Sequence, residues 1–203
     1  ETGTDETVTD TNSNGYWDFY GSDGWTATDN IVSVRSPVGN WVDAMGFSDQ
    51  DGDMTPTFGT AYNAMVSTNM WTGGPATFTD GTNDAEVQAS LVDYSGGGSN
   101  KSMIRTSTAT DTNSKPDWQL TSTLTPGITN PVVPPPPAGA INGTITEVAP
   151  SISGGDFIEI FVTADSADVA GVKIYEGTAL IKTFPSGMGA IPKNTFIILW
   201  ACD

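Results

Sequence analysis

The sequence predicts an all-β protein, a sandwich of two sheets. Three observations point there. Thr (29), Ser (17), Gly (23) and Pro (13) are abundant among 203 residues that hold few strong helix formers; Thr favours strands, and Gly, Pro and Ser favour the turns between them. Short apolar and aromatic segments recur between Gly, Asn and Asp turns, with no fixed internal repeat. Six Trp, five Tyr and eight Phe supply enough apolar volume for a real core.

The elements follow in order. A polar stretch over 1–15 precedes strands predicted at Tyr16–Tyr20, Ile31–Val34 and Trp41–Met45. An irregular Gly/Thr/Asn-rich insertion is expected at about 50–84, and further strands at Val87–Val92, Met103–Arg105 and Asp117–Leu120. Pro134–Pro137 are four consecutive prolines, which cannot donate to a ladder and favour polyproline II, so 131–140 reads as a stiff tether between parts 1–130 and 141–203. Ten such residues at ~3.1 Å each span ~31 Å. Beyond the tether, Ile141–Val148 alternates apolar and polar residues, and Phe157–Val162 follows the turn Gly154–Asp156. Val172–Tyr175 and Ala179–Phe184 form a hairpin across Glu176–Thr178. Thr195–Ala201 reads as a fully buried strand that needs a neighbour on each edge.

These segments resemble the lamin-tail domain, an immunoglobulin-like β-sandwich found in exported bacterial and archaeal proteins and in nuclear lamins. The likeness rests on Ile145-Thr146-Glu147-Val148, then Gly155-Asp156-Phe157-Ile158-Glu159-Ile160-Phe161, Ala170-Gly171-Val172-Lys173-Ile174 and Ile191-Pro192…Phe196-Ile197-Ile198-Leu199. The family's later elements match upstream, at Asn30–Ser33, Gly39–Ala44, Asp111–Trp118 and Thr125–Asn130. The halves therefore stand in rotated order: 1–130 corresponds to the C-terminal half of such a sandwich and 141–203 to the N-terminal half. The resemblance implies a split or circularly permuted domain, a unit of a tandem array, or halves exchanged head to tail between subunits.

Charge excludes several functions. Seven Lys and Arg stand against 24 Asp and Glu, a net charge of −17, so no basic patch for nucleic acid is expected. The absence of His removes the usual base of nucleophile triads and the commonest zinc ligand, and a single Cys excludes an internal disulfide. The longest apolar run, Phe196–Ala201, is far shorter than the ~20 residues of a membrane helix, so no membrane span is expected. Low charge density, abundant Thr, Ser, Asn and Gly, and a first residue that is Glu rather than Met fit a processed, exported protein, extracellular or at the cell surface.

Two carboxylate-rich loops are candidate metal sites. Asp10, Asn12 and Asn14, followed by Gly15, match the opening of a D-x-[DN]-x-[DN]-G loop, in which alternate oxygens converge on one hard cation. Asp49, Asp51 and Asp53 set three carboxylates at alternate positions. Calcium is the cation that such oxygen ligands suit. Glu147, Asp156 and Glu159 raise the idea of a carboxylate-pair hydrolase, but alternation explains the two glutamates as outward-facing and Asp156 as a turn residue, so no enzyme is expected. Trp25, Trp71 and Trp118 are read as core aromatics ahead of a sugar-stacking platform.

The function expected from these readings is a non-enzymatic structural protein, a homopolymer of split sandwiches in an extracellular filament or surface layer. Its packing between subunits is assigned to Trp17, Phe19, Trp41, Phe157, Ile158, Ile160, Phe196, Ile198 and Trp200. The alternative is a carbohydrate-binding or adhesive module of a secreted or cell-surface protein.

Overall fold

The computed structural model describes residues 5–6, 14–21, 25–97, 100–106, 111–127, 143–150, 155–163, 169–185, 188 and 190–201. The tether, Asp10 and Asn12 lie outside them. Eleven strands are described: β1 (Tyr16–Gly21), β2 (Asn30–Arg35), β3 (Trp41–Ser48), β4 (Val92–Asp93), β5 (Ser102–Arg105), β6 (Trp118–Thr121), β7 (Gly143–Ala149), β8 (Asp156–Val162), β9 (Lys173–Glu176), β10 (Ala179–Thr183) and β11 (Phe196–Ala201). They form two sheets, one ordered β1-β11-β8-β7-β5-β6 and the other β10-β9-β2-β3-β4. The chain is an all-β sandwich with two helices laid on it.

Alternation sorts the larger sheet's side chains. Trp17 and Phe19 of β1, Ile158, Ile160 and Val162 of β8, and Ile197, Leu199 and Ala201 of β11 enter the main core between the sheets. Phe157, Phe196 and Ile198 point the other way and join Ala149, Tyr16, Leu124, Phe161 and Trp200 in a second apolar layer on that sheet's outer face. This double burial explains why β11 is apolar at every position. Its two neighbours are β8, antiparallel, and β1, parallel from Tyr16↔Phe196 to Gly21↔Ala201.

Each sheet is assembled from both parts of the chain. The seams are β1/β11 and β5/β7 in one sheet and β2/β9 in the other. The contacts that the sequence assigned to neighbouring subunits are thus made within one chain. Trp17, Phe19, Phe157, Ile158, Ile160, Phe196, Ile198 and Trp200 pack around the β1-β11-β8 pairing, while Trp41 and Tyr175 sandwich the Arg35 guanidinium, each ring centroid 4.1 Å from it. The tether does not have to be long for this. Gly127 is fixed to Glu159 and Gly143 pairs with Val162, so both ends of the connection sit on β8 three residues apart, ~10 Å along a strand.

Two segments differ from the sequence reading. The region expected to be irregular holds α1 (Pro56–Ser67), started by the Thr55 hydroxyl accepting from the Phe58 amide and by Pro56 in the first turn. Its inward face is Phe58, Ala61, Tyr62 and Met65, the i, i+3, i+4, i+7 set. The strand expected at Val87–Val92 is instead α2 (Asp84–Ser90), with acidic Asp84 and Glu86 in its first turn, and only Val92–Asp93 is extended. Gly46 lets this helical layer settle on β3: a Cβ there would lie 2.7 Å from Leu91 and 3.2 Å from Met65.

The open edge of β1 is closed by side chains. The Asp18 amide donates to Glu6 Oε2, the Tyr20 amide to Asp5 Oδ1 and the Tyr16 amide to Asn14 Oδ1, and Lys182 Nζ donates to the Tyr20 carbonyl. Charged caps of this kind keep a strand edge from templating a stray strand.

Candidate functional site

Three groups of polar side chains stand out. The first is acidic and partly open. Asn30 pairs with Phe47, so the turn before β2 places Asp29 beside the end of β3, and its carboxylate gathers with those of Asp49 and Asp51, one oxygen of each lying within 4.8 Å of the others. Gln88 Nε2 bridges Asp29 and Asp51, at 3.3 and 3.4 Å. Burial, together with the charges of Asp49 and Asp51, raises the Asp29 carboxyl above its ordinary value against the lowering bonds of Ser48 and Gln88. Asp49 Oδ1 is buried without a hydrogen-bond partner among the described residues. Hard oxygens so placed could hold a divalent cation.

This cluster is not the alternate set read from sequence. Asp53 is exposed, its amide turned onto Asp51 Oδ1, and Asp29 takes the third place from twenty residues upstream. Asn14 is spent on β1, accepting from the Tyr16 amide and donating to Asp18 Oδ2. A cavity of about 210 Å³ adjoins the cluster, lined among others by Asp29, Asn30, Thr55, Thr57, Phe58 and Glu176. Glu176 Oε1 accepts from the Thr26 amide at 2.7 Å and from Asn30 Nδ2.

The second group is an ion cluster between the sheets. Arg105 Nη2 lies 3.2 Å from Asp43 Oδ2 and 3.0 Å from Asp111 Oδ2, its Nε donates to the Ile145 carbonyl at 2.7 Å, and its guanidinium lies 4.6 Å from the Trp118 ring centroid. Asp43 also accepts from the Ile145 and Ala44 amides, both at 2.8 Å. Burial raises Asp43 to about 6, even though Arg105 and the two amides pull it down. The cluster fastens β3 and β5, from one part of the chain, to β7 from the other.

The third group is a buried glutamate pair. Glu147 and Glu159 are direct cross-strand partners on β7 and β8, on the outward face as their alternation implied, yet both are fully buried. The segment 122–127 roofs them: the Thr125 hydroxyl donates to Glu147 Oε2 at 2.7 Å and the Gly127 amide to Glu159 Oε2 at 2.6 Å. Ser102 donates to Glu147 and Thr146 to Glu159. A bulge between Ile145 and Glu147 brings Thr146 to the pair. Burial foremost, with the charge of Glu147, raises Glu159 to about 8 against the lowering bonds of Thr146 and Gly127. A folded value above the unfolded one means that this group's stabilisation is full below the ordinary carboxylate range and is lost as pH rises through about 8.

Asp156 is buried and accepts from the Trp25 amide at 2.8 Å. Trp25, Trp71 and Trp118 are all core residues. No protein-family model, curated protein or solved structure matches the chain.

Proposed function

We propose that this protein is a non-enzymatic structural subunit of an extracellular filament or surface layer, built on a lamin-tail-like, immunoglobulin-like sandwich in rotated order. One observation carries the reading: neither part of the chain holds a complete sheet, and the two complete each other along three strand seams. Strand pairing does not depend on which chain supplies the partner, so contacts that close one chain also join chains that exchange parts. In a head-to-tail polymer, β7–β11 of one subunit pair with β1, β2 and β5 of the next. The fully buried glutamates offer no open carboxylate pair to a substrate, which favours a structural role over hydrolysis. A calcium ion held by Asp29, Asp49 and Asp51 would relieve their mutual repulsion and stiffen the α1 side of the subunit.

The test is electron microscopy and light scattering after refolding across a wide concentration range, with calcium and with chelator. Linear polymers or exchanged dimers are expected; particles of one chain mass at every concentration would sink the proposal. A second reading, a carbohydrate-recognising or adhesive module, is favoured by the cavity beside Asp29, whose wall of hydroxyl, amide and carboxylate groups around Phe58 suits a polyhydroxyl ligand. Glycan-array binding that is lost in Asp29→Ala would support it.

A further inference from the structure

We infer that Arg35 and Lys173 form a carboxylate-binding site on one face of the smaller sheet, framed by Trp41 and Tyr175, and that its ligand is a uronic acid, free or at the end of an oligosaccharide. The register builds the site. Arg35 on β2 is the direct cross-strand partner of Lys173 on β9, and Ser33 of Tyr175, so all four share the face turned away from Val34 and Ile174, which lie in the core. Trp41 on β3 is the partner of Arg35 on its other side. Arg35 and Trp41 come from one part of the chain, Lys173 and Tyr175 from the other, so the site is complete only where the β2/β9 seam is closed.

The charge arrangement asks for an anion. Two cations directly opposite each other on adjacent strands repel and weaken the pairing, and in this chain they are two of only seven. Arg105 and Lys182 are held in ion pairs, and Lys101 and Lys115 donate to main-chain carbonyls. Arg35 and Lys173 have no carboxylate partner among the described residues. Asp43, on the next strand, faces Arg105 between the sheets, and Glu176 accepts from the Thr26 amide and from Asn30. A carboxylate placed between the two cations turns their repulsion into two attractions.

The aromatic rings give the site its form. Trp41 and Tyr175 stack on the guanidinium, each centroid 4.1 Å from it, and Arg35 Nε donates to Ser33 Oγ at 3.3 Å. The two Nη groups are left as a fixed, planar fork for a carboxylate. Arg35, Trp41, Lys173 and Tyr175 are all partly exposed, and neither the Trp41 indole N–H nor the Tyr175 hydroxyl is engaged in a hydrogen bond among the described residues. Rings with an apolar body and a free polar tip suit the C–H faces and hydroxyls of a sugar. The net charge of −17 favours a ligand with one negative charge, since each further one is repelled by the whole body. A single uronate meets these demands better than an acidic peptide or a second copy of this chain. The site shares no residue with the lining of the cavity beside Asp29, and it does not depend on polymerisation.

The test is nitrogen-15 NMR titration of the full chain with sodium glucuronate, with glucose, sodium acetate and hexaglutamate as controls. Glucuronate should bind saturably with a Kd of about 1 mM, shifting the Arg35 Nε, Trp41 Nε1 and β2/β9 amide signals. Arg35→Gln and Lys173→Gln should each weaken it about tenfold or more. Without ligand, Lys173→Gln should unfold at the same urea concentration as wild type or a higher one, because a repelling charge is gone; a lysine with a purely structural role would show a loss of stability instead. Equal binding of glucose, acetate as tight as glucuronate, or shifts confined to other regions would each overturn the proposal. Hexaglutamate binding more tightly than glucuronate would overturn the sugar in favour of an acidic protein partner. The wild-type titration stands even if a variant does not fold: no saturable shift at Arg35 or Trp41 refutes the site.

Discussion

Removing Arg105 is the sharpest test of how the two parts of the chain are held together. In Arg105→Met the side chain keeps its apolar bulk against Trp118, but Asp43, buried between the sheets, loses the guanidinium 3.2 Å away and Asp111 the one 3.0 Å away. Stranding a buried charge typically costs about 3–5 kcal/mol, a large share of the roughly 5–15 kcal/mol that holds a domain. The pH dependence is the distinctive part. Even with Arg105 in place Asp43 is raised from 3.8 to about 6, which at ~1.36 kcal/mol per unit is about 3 kcal/mol of stability present below pH 3.8 and gone above pH 6. Without Arg105 Asp43 should rise further, so the loss should be largest at pH 7.5 and shrink at pH 5, where the carboxyl can take a proton. Urea unfolding followed by Trp fluorescence at both pH values measures this, and Asp43→Asn in the Arg105→Met background should restore most of the loss. A cost under about 1 kcal/mol at pH 7.5, or no rescue by Asp43→Asn, would refute the claim that this cluster is a charge-compensated seam.

Two further outcomes are expected. If Asp29, Asp49 and Asp51 hold calcium, then calcium at ~100 times its dissociation constant should stabilise the wild-type chain by about 2.7 kcal/mol, seen as a rise in melting temperature that chelator reverses and Asp29→Asn abolishes. Gly46→Val should cost about 1–3 kcal/mol by driving Leu91 and Met65 off β3; unfolding that matches wild type would show that the helical layer shifts freely.

The strands were legible because successive side chains of a strand point to opposite faces and write a period of two into adjacent residues, as read over Ile141–Val148, although both faces of β7 are buried. α1 was legible too: Thr55-Pro56 followed by Phe58, Ala61, Tyr62 and Met65 is a complete helix signal, obscured by the Gly, Thr and Asn around it. Val87–Val92 misled because Val87, Ala89 and Leu91 alternate with Gln88 and Ser90, and so short a run satisfies both periods. The candidate sites were less accessible. Asp29 joins Asp49 and Asp51 only through the β2/β3 register, and nothing in residues 26–31 marks it as a ligand. Glu147 and Glu159 were placed on the correct face, but their burial depends on a strap that arrives from twenty or more residues away.

By itself, then, the sequence determined the sandwich class, nearly every strand and the strongly acidic net charge. These are properties of composition and local period, carried by neighbouring residues. Only the tertiary structure decided that β1 and β11 lie parallel at one seam, that three aspartates from two loops converge, and that two glutamates share a buried row. Each of those depends on which distant strand pairs with which, and in what register. Pairing energy comes from backbone bonds and apolar burial common to all strands, so no short segment announces its partner.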